Sequence, residues 1–291
     1  MDLPRIFVSQ LHNPYTNLAL ENHLLKTISQ PSLFLYQNTT AVVMGRAQNP
    51  WIEVDVAFLQ KNDIPLVRRQ SGGGTVVHDL GNLNFSFIAP KAQFDKTAQI
   101  QLVAQSLSQL SLPVQIAERC DLLLDNKKIS GSAFRETKDN CFHHGTLLVN
   151  SDLDLLRRCL QVPPHTITTR AITSRRSSVI NICEALPDLN VTKVTDSLIQ
   201  NFLNSHSLHS DTIFLLDHIP TDWDIQEAKA RYQSENWTYN HTLPFSVQVS
   251  LADQKVTLQV EEGKITSINP TQNTLQYLIG QDYRQITISG S

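Results

Sequence analysis

"RRQSGGGTVVHDLGN", residues 68–82, places three of the chain's ten glycines in a row, at positions 72–74. Glycine permits a positive φ and leaves room for a ligand beside the backbone. The triplet stands between two segments with strand character, "IPLVRR" and "TVVHD". We therefore expect a turn whose backbone amides are exposed, as an anion or a carbonyl oxygen requires. A hairpin turn without a ligand is the alternative, and the spacing matches neither the P-loop nor the Rossmann glycine motif.

The residues around the triplet sharpen this expectation. Arg68 and Arg69 are consecutive in a strand and point to opposite faces, so we predict one directed towards the turn and the other solvated. The next segment, "NLNFSFI", has an apolar face and a polar face, and the polar face is either water-exposed or the floor of a site. His78 and Asp79 are interpreted as a turn cap or a local hydrogen bond, not as a catalytic dyad.

The composition limits the possible classes of protein. With 291 residues and a formal charge of −3, the chain fits one large domain or one domain plus a small appendage, and it is not a duplex-binding protein. Its four cysteines are far apart, with no C-x-x-C and no zinc-type spacing, which favours free thiols in a reducing compartment. No apolar run is long enough to span a membrane, and "MDLPRIFVSQ" is not a signal peptide. We expect a cytoplasmic or organelle-matrix protein.

The periodicity predicts a mixture of helices and strands. Apolar residues at helical spacing predict helices within 13–28, 96–110 and 192–204, the first capped by Asn13 or Thr16. Strands are predicted within 33–45 and 112–136, with a tight turn at residues 125–127.

The C-terminal part of the sequence has a different character. The charged and aromatic segment 221–241 suits an exposed helix and a linker, and a small β-rich unit follows Pro244. We predict an α+β fold with a mixed sheet, divided into a catalytic domain, residues 1–240, and an accessory domain, residues 241–291.

Four segments, taken together, resemble the signature blocks of lipoate–protein ligases of the bacterial ligase A type. They are "VVMGRAQNPWIEVD" (42–55), "RRQSGGGTVVHDLGNLNFSF" (68–87), "KKISGSAFRETKD" (127–139) and "FHHGTLLVNSDL" (142–153). The resemblance implies a class II biotinyl/lipoyl ligase fold with an abbreviated accessory domain. It also implies ATP-dependent activation of lipoate as lipoyl-AMP. Transfer to a lysine of a lipoyl carrier domain follows, on E2 subunits of 2-oxoacid dehydrogenases or on the glycine cleavage H protein.

The resemblance also assigns candidate site residues. Lys128 would be catalytic and contact the acyl carboxylate and the α-phosphate, a role that suits a compact ammonium on a flexible stem. The remaining candidates would line the acyl-adenylate pocket: Arg46, Arg69, Ser71, Gly72, Gly73, Gly74, Thr75, His78, Asn82, Asp121, Arg135 and His144. Each assignment has an alternative. Lys128 would be a solvated turn residue, the arginines would be solvated strand ends, and Asp121 would cap a strand. Residues 171–181, "AITSRRSSVIN", resemble the adenylate-binding loop, although many family members have Arg where Ser178 stands. Adjacent His143 and His144 do not suit one metal ion, so Mg²⁺ is expected with ATP, held mainly by phosphates.

Other functions remain open at this stage. A lipoyltransferase that uses preformed lipoyl-AMP or another acyl donor has the same fold. A thiol-dependent transferase would need a cysteine in the pocket, and Cys120 and Cys141 only flank the lysine segment. A biotin ligase would favour a Gly-Arg-rich loop in place of "RRQSGGG". A non-catalytic protein that binds lipoyl domains is disfavoured by the presence of Lys128.

Overall fold

The computed structural model describes residues 4–162, 166–251, 254–271 and 273–289, so Met1, Asp2 and Leu3 of the N-terminal segment lie outside the described residues. The strands are β1 (Arg5–Ser9), β2 (Ser32–Tyr36), β3 (Ala41–Met44), β4 (Leu66–Arg68), β5 (Val76–His78), β6 (Asn82–Pro90), β7 (Gln115–Ile116), β8 (Leu122–Leu124), β9 (Lys127–Ser130), β10 (Ser132–Glu136), β11 (Asn140–Leu148), β12 (Thr166–Thr169), β13 (Ile213–Leu216), β14 (Phe245–Leu251), β15 (Gln254–Glu261) and β16 (Lys264–Asn269). The α-helices are α1 (Pro14–Thr27), α2 (Pro50–Glu53), α3 (Val56–Lys61), α4 (Lys96–Gln109), α5 (Leu153–Cys159), α6 (Ile182–Ala185), α7 (Val191–Ser205), α8 (Gln226–Gln233) and α9 (Tyr283–Ser289).

The main sheet is six-stranded and mixed, in the order β10-β11-β6-β2-β1-β13. Strand β1 is parallel to both β2 and β13, and the other neighbours are antiparallel. A short sheet, β4-β3-β5, and a β7-β8-β9 meander lie beside it. The mixed pairing confirms the predicted fold class.

Both faces of the main sheet are covered by helices. The apolar face of β6, with Leu83, Phe85 and Phe87, packs against apolar residues of α4 and α7. On the opposite face, Phe34 of β2 and Phe142 of β11 join the apolar residues of α1. Helix α1 begins after Asn13, whose side chain accepts a hydrogen bond from Thr16 N, so Asn13 is the cap among the two that the sequence offered. The site described below lies where the polar face of β6 meets the short sheet.

The helix predicted within residues 221–241 is present as α8, in which only Tyr232 is buried, but the segment also packs against α1 and β4. Helix α8 contacts α1, and Tyr232 of α8 is buried in the core that α1 shares with the main sheet. After α8, residues Asn236–Asn240 form a π-helical turn in which Thr238 is buried against β4. Trp223 and Tyr232 of this segment pack in the core that includes α1, whereas Tyr239 packs against Trp51 in the core shared with the C-terminal sheet.

The C-terminal strands form a four-stranded sheet in the order β12-β14-β15-β16. Strand β12 belongs to the range that the sequence assigned to the catalytic domain, so its pairing with β14 crosses the predicted boundary. The sheet also shares one apolar core with β3, β5, α2 and α3, in which Trp51 contacts Phe245 and Tyr283. The division at residue 240 stays a prediction.

Candidate functional site

Two adjoining chambers lie between the main sheet, the short sheet and residues 171–179. The first, which we call the turn chamber, has a volume of about 520 Å³ and includes Gly73 and Gly74 in its wall. The second, which we call the loop chamber, has a volume of about 490 Å³ and extends towards α5. The residues that line both chambers are Thr75, Val76, Lys128, Gly131, Thr146, Ser174, Arg175 and Ser177. A ligand with two chemically different halves would fit such a cavity, with its junction at these shared residues.

Lys128 lies at the junction of the two chambers because of the β8–β9 hairpin. Asp125 and Asn126 both have positive φ, 50° and 58°, which produces the tight turn that the sequence predicted. Strand β9 then directs the Lys128 ammonium towards Asp121, with 2.9 Å between Nζ and Oδ2. The Cβ of any residue at position 131 would stand 3.4 Å from this Nζ, so Gly131 leaves room for the ammonium to move.

The glycine turn is held by Arg69. The Arg69 guanidinium, only 5% exposed, donates from Nη2 to the carbonyl oxygens of Gly72 (2.6 Å) and Gly74 (2.7 Å). Gly73 has φ +84°, and a Cβ there would stand 2.9 Å from Nη2. At Gly72, by contrast, φ is not positive and no heavy atom lies within 4 Å of such a Cβ. Among the three glycines, position 73 is therefore the one that the protein's own backbone requires.

Arg68 is not solvated, and this prediction was wrong. It does point away from Arg69, but it is 0% exposed. Its acceptors are the carbonyl oxygens of Arg46, Gln48, Trp237 and Thr238 and the hydroxyl of Thr242. Burial lowers the pKa of Arg68 to about 10, so the group is still a cation at neutral pH. Arg68 thus fastens β4 to the turn that follows α8.

The polar face of β6 forms part of the floor of the turn chamber. Asn84 lies on the chamber wall, as do His78 of β5 and His144 of β11. Burial, and to a smaller extent the charges of Arg69 and His144, lower the pKa of His78 to about 3, so His78 is neutral at pH 7. Its Nδ1 lies 2.9 Å from the amide of Asn38. Of the two alternatives for this polar face, the floor of a site is the one the structure supports.

Residues 171–179 cross the cavity and are anchored chiefly at Ser174. The Ser174 backbone N–H donates to Glu53 Oε1 (2.9 Å), and its hydroxyl donates to Glu53 Oε2. The same hydroxyl accepts from Gln48 Nε2 (3.0 Å) and from the backbone N–H of Thr75 (2.8 Å). We call these four residues the Ser174 cluster. Arg175, which is exposed and is followed by the exposed Arg176 and Ser177, lies on the wall of both chambers.

Several predicted site residues do not lie on either chamber wall. Ser71 is buried beneath the turn, between Arg69 and His144. Asn82 donates to Asn84 from below the floor. Arg46 is exposed beside the short sheet, and Arg135 donates to Asn22 Oδ1 of α1 (2.9 Å). Gly72 also lies on neither wall. The fold brings together Lys128, Asp121, Gly73, Gly74, Thr75, His78, Arg69 and His144. The ligand contacts of all the candidate residues stay predictions.

The two adjacent histidines have different environments because they face opposite sides of β11. His143 stacks on Phe134, with 4.5 Å between ring centroids, and its Nε2 lies 2.9 Å from Ser132 Oγ. His144 faces the turn chamber. The four cysteines are free thiols, and none of them lines either chamber. Within the described ranges, no group of three or more His, Cys, Asp or Glu side chains is arranged to hold a metal ion.

Two buried carboxylates beside the cavity were not predicted from the sequence. Glu21, in the middle of α1, is buried against His144. Glu53, at the end of α2, is buried in the Ser174 cluster. In each case the partner is more than 100 residues away in the chain, so spacing carried no signal. The one available sign was that an acidic residue stood within an apolar helix or beside an apolar run.

The chain was compared with known families and solved structures. A family model described as the lipoyl protein ligase A/B catalytic domain matches residues 13–203. A Plasmodium falciparum structure, LipL1 in complex with lipoate, covers 96% of this chain and 90% of its own, with 24% identity and a TM-score of 0.72. This match supports the fold alone.

Two further structures have higher identity. A bi-partite lipoate protein ligase from Thermoplasma acidophilum, studied with its E2 lipoyl domain, is 27% identical (82% of this chain, 96% of that one, TM-score 0.65). A lipoate-protein ligase A bound with ATP is 28% identical (81% of this chain, 98% of that one, TM-score 0.63). These similarities confirm the expected ligase fold. Separately, no helix within the described residues has the length and apolar character needed to cross a bilayer.

Proposed function

Because the chain belongs to the lipoyl protein ligase A/B catalytic-domain family, we propose that it is a lipoate–protein ligase that uses ATP. In the first half-reaction, a lipoate carboxylate oxygen attacks the α-phosphorus of ATP, and pyrophosphate leaves. In the second, the amine of a carrier-domain lysine attacks the lipoyl carbonyl carbon, loses a proton and displaces AMP. A T. acidophilum structure, 27% identical to this chain, is described with bound lipoic acid, and the 28% identical ligase is described with ATP, which supports both substrates.

The observation that carries this proposal is that Lys128 and the glycine turn line one cavity. Both half-reactions pass through the junction between the acyl carbonyl and the α-phosphate, where negative charge develops. Lys128 lies on the wall that the two chambers share, so its ammonium can reach a ligand atom between them. Preorganised donors at such a point are a large source of rate enhancement.

Asp121 explains how Lys128 is kept in place without a ligand. Its carboxylate holds the ammonium at 2.9 Å, and both side chains are about one quarter exposed. Such a pair is partly screened by water and is easily exchanged for a stronger anion. We propose that Lys128 leaves Asp121 for the carboxylate and phosphate oxygens when substrates bind.

The turn chamber suits the acyl chain. Its wall combines apolar residues, such as Leu18 and Val43, with the neutral His78 and the glycine turn. Arg69 binds the carbonyl oxygens of Gly72 and Gly74. The Gly72 carbonyl and the Gly73 N–H belong to one trans peptide group, so this N–H points away from Arg69. We propose that this amide donates to the acyl carbonyl or to the phosphate.

The loop chamber suits the nucleotide. Arg175 and Arg176 on its wall provide guanidinium groups for phosphate oxygens. Glu53 also lies on this wall, but its carboxylate is engaged by Ser174. The described carboxylates do not form a cage for a cation, so Mg²⁺ would be held by the phosphates of ATP, which is its usual mode in such sites.

The acceptor is proposed to be a lipoyl carrier domain, of an E2 subunit or of the glycine cleavage H protein. The T. acidophilum relative is described with its E2 lipoyl domain, which supports this class of partner. The free cysteines favour a reducing compartment, the cytoplasm or an organelle matrix.

The direct test mixes pure protein with lipoate, ATP and Mg²⁺ and measures pyrophosphate and lipoyl-AMP. We expect both products, followed by lipoylation of an added carrier domain. If no lipoyl-AMP forms but synthetic lipoyl-AMP is still used for transfer, the protein is a lipoyltransferase instead. If neither step occurs, the proposed function is wrong.

A further inference from the structure

A row of buried polar side chains leads from α1 to the glycine turn. His144 Nδ1 lies 3.0 and 3.1 Å from the two carboxylate oxygens of Glu21. His144 Nε2 lies 2.9 Å from Ser71 Oγ, and Arg69 Nε donates to the same oxygen at 2.9 Å. Glu21 is 3% exposed, Ser71 1% and His144 8%. Their contacts are therefore made without competition from bulk water.

The chemistry of these groups fixes the direction of each hydrogen bond. A carboxylate only accepts, so His144 Nδ1 carries a proton and donates to Glu21, and in the ring form with a single proton Nε2 is an acceptor. Ser71 then donates its hydroxyl proton to Nε2 and accepts from Arg69. At the far end, Arg69 Nη2 holds the carbonyl oxygens of the turn. Glu21 thus determines the tautomer on which the rest of the row depends.

Electrostatics also connects the two ends of the row. Arg69 is buried, and burial lowers its pKa to about 10, while the charge of Glu21 acts in the opposite direction. An uncompensated buried cation is costly. Glu21 supplies the compensating negative charge from a helix that otherwise contributes apolar residues to the core.

Glu21, His144 and Ser71 have the composition of a nucleophilic triad but not its accessibility. The Ser71 hydroxyl is engaged on both sides and does not line either chamber. A nucleophile must be exposed to its substrate. Ser71 cannot attack an acyl group from this position, so the row serves to place other groups.

We propose that Glu21 is a positioning residue of this enzyme. Through His144 and Ser71 it holds Arg69 in the orientation that fixes the glycine turn, and it thereby sets the shape and the donors of the turn chamber. The kinetic consequences of this inference rest on the proposed function. The inference identifies Glu21 as the buried group that keeps the lipoate-binding part of the cavity in its binding conformation.

The test compares substitutions that separate position from charge. Glu21→Gln keeps an acceptor oxygen at the same reach, while Glu21→Asp keeps the charge but withdraws it by one methylene. We expect the Km for lipoate to rise a few-fold in Glu21→Gln and at least tenfold in Glu21→Asp and Glu21→Ala, with the Km for ATP changed less than twofold. Asn140→Ala is the matched control, because Asn140 also joins β11 to α1, donating to the carbonyl oxygens of Leu25 and Ile28.

Two measurements keep the test independent of turnover. Nitrogen-15 NMR of labelled histidine reports the His144 tautomer, and calorimetry reports lipoate affinity. We expect the Nδ1–H form in the wild type and in Glu21→Gln, and a substantial Nε2–H population in Glu21→Asp. Asn140→Ala should unfold at lower denaturant concentration with both readouts unchanged.

The inference is overturned if Glu21→Asp keeps wild-type lipoate affinity and tautomer, or if Asn140→Ala weakens lipoate binding as much as Glu21→Asp does. If Glu21→Ala does not fold, the comparison of Glu21→Gln with Glu21→Asp still tests the inference. If the wild-type protein binds lipoate but makes no lipoyl-AMP, the proposed function is wrong. The tautomer and affinity results would still test the role of Glu21.

Discussion

The glycine turn and residues 171–179 bound the same cavity but are held in different ways. The turn is fixed by buried groups: Arg69 donates to two of its carbonyl oxygens and is itself held by Ser71 and by the carbonyl of Val43. The loop is fixed at the Ser174 cluster and by backbone hydrogen bonds to β9, from Lys128 N to Ser178 O (2.8 Å) and from Ile180 N to Lys128 O (3.2 Å). Its arginine side chains are exposed.

The difference indicates that the turn chamber is preorganised for its ligand, whereas the loop chamber has a wall that can move. A wall whose supports are buried is already in its binding geometry, so little ordering entropy is lost when the acyl chain enters. A loop held at few points can open and close over a nucleotide, at a cost in ordering. Lys128 belongs to both regions, since its side chain faces the turn chamber and its backbone holds the loop. Each prediction below changes one side of this comparison.

The largest effect is expected at the residue that both regions share. Lys128→Ala should reduce lipoyl-AMP formation and lipoyl transfer by at least about 1000-fold, because it removes the cation at the junction. The folded state should be retained, since the lost pair with Asp121 is partly exposed. Lys127→Ala is the control: the neighbouring lysine is exposed and lines neither chamber. An active Lys128→Ala enzyme would remove the assigned role.

The next prediction tests the rigidity of the turn. Gly73→Ala places a Cβ 2.9 Å from Arg69 Nη2 at a positive φ. The displaced guanidinium should shift the turn, lowering lipoate affinity by roughly 10- to 100-fold. Gly72→Ala has open space and an ordinary φ, so its stability and lipoate affinity should change little. Equal effects at the two positions, measured by calorimetry, would mean that the turn is not held by Arg69.

Acid should destabilise the folded protein through its buried histidines. Burial lowers the pKa of His78 and of His143 to about 3 from 6.5. The unfolded chain binds protons below pH 6.5 while the folded chain does not, so the free energy of unfolding falls as pH drops from about 6.5 towards 3. At pH 5 each histidine accounts for up to about 2 kcal/mol of this loss.

The histidine contribution can be isolated with His143→Phe, which suits the stacked position against Phe134. Urea unfolding at pH 7.5 and pH 5 should show that the variant loses about 2 kcal/mol less than the wild type over this interval. An identical loss in both proteins would mean that His143 does not stay neutral when buried.

The smallest effect is expected at the loop anchor. Ser174→Ala removes the hydroxyl that joins Glu53, Gln48 and Thr75. We expect the Km for ATP to rise about tenfold, from a loss of about 1–2 kcal/mol, with lipoate affinity unchanged. Thr168→Ala, at an exposed position in β12 before the loop, is the control. A loss of lipoate affinity in Ser174→Ala would show that the two walls are not independent.

Local patterns were sufficient to predict the elements that carry the site. The local pattern predicted α1 with a cap at Asn13 or Thr16, the β8–β9 turn and the alternation of β6, because each depends on residues close in sequence. The opposite directions of Arg68 and Arg69 also followed from strand geometry. The family blocks added which of these residues share a cavity.

The sequence could not predict what depends on distant partners. Arg68 was expected in solvent because its acceptors, the carbonyls of Trp237 and Thr238, come about 170 residues later and belong to backbone, which carries no residue signal. Glu21 and Glu53 were missed for the same reason. The ligand contacts of all the candidate residues stay predictions, and Arg46 and Arg135 lie on neither chamber wall.

A crystal structure with a non-hydrolysable lipoyl-adenylate would show directly how the two chambers hold the two halves of the ligand. We expect the acyl chain in the turn chamber and the adenylate in the loop chamber. The carbonyl–phosphate junction should lie within hydrogen-bond distance of both Lys128 Nζ and the Gly73 amide. If the junction lies away from Lys128, or the acyl chain lies outside the turn chamber, the proposed site is wrong.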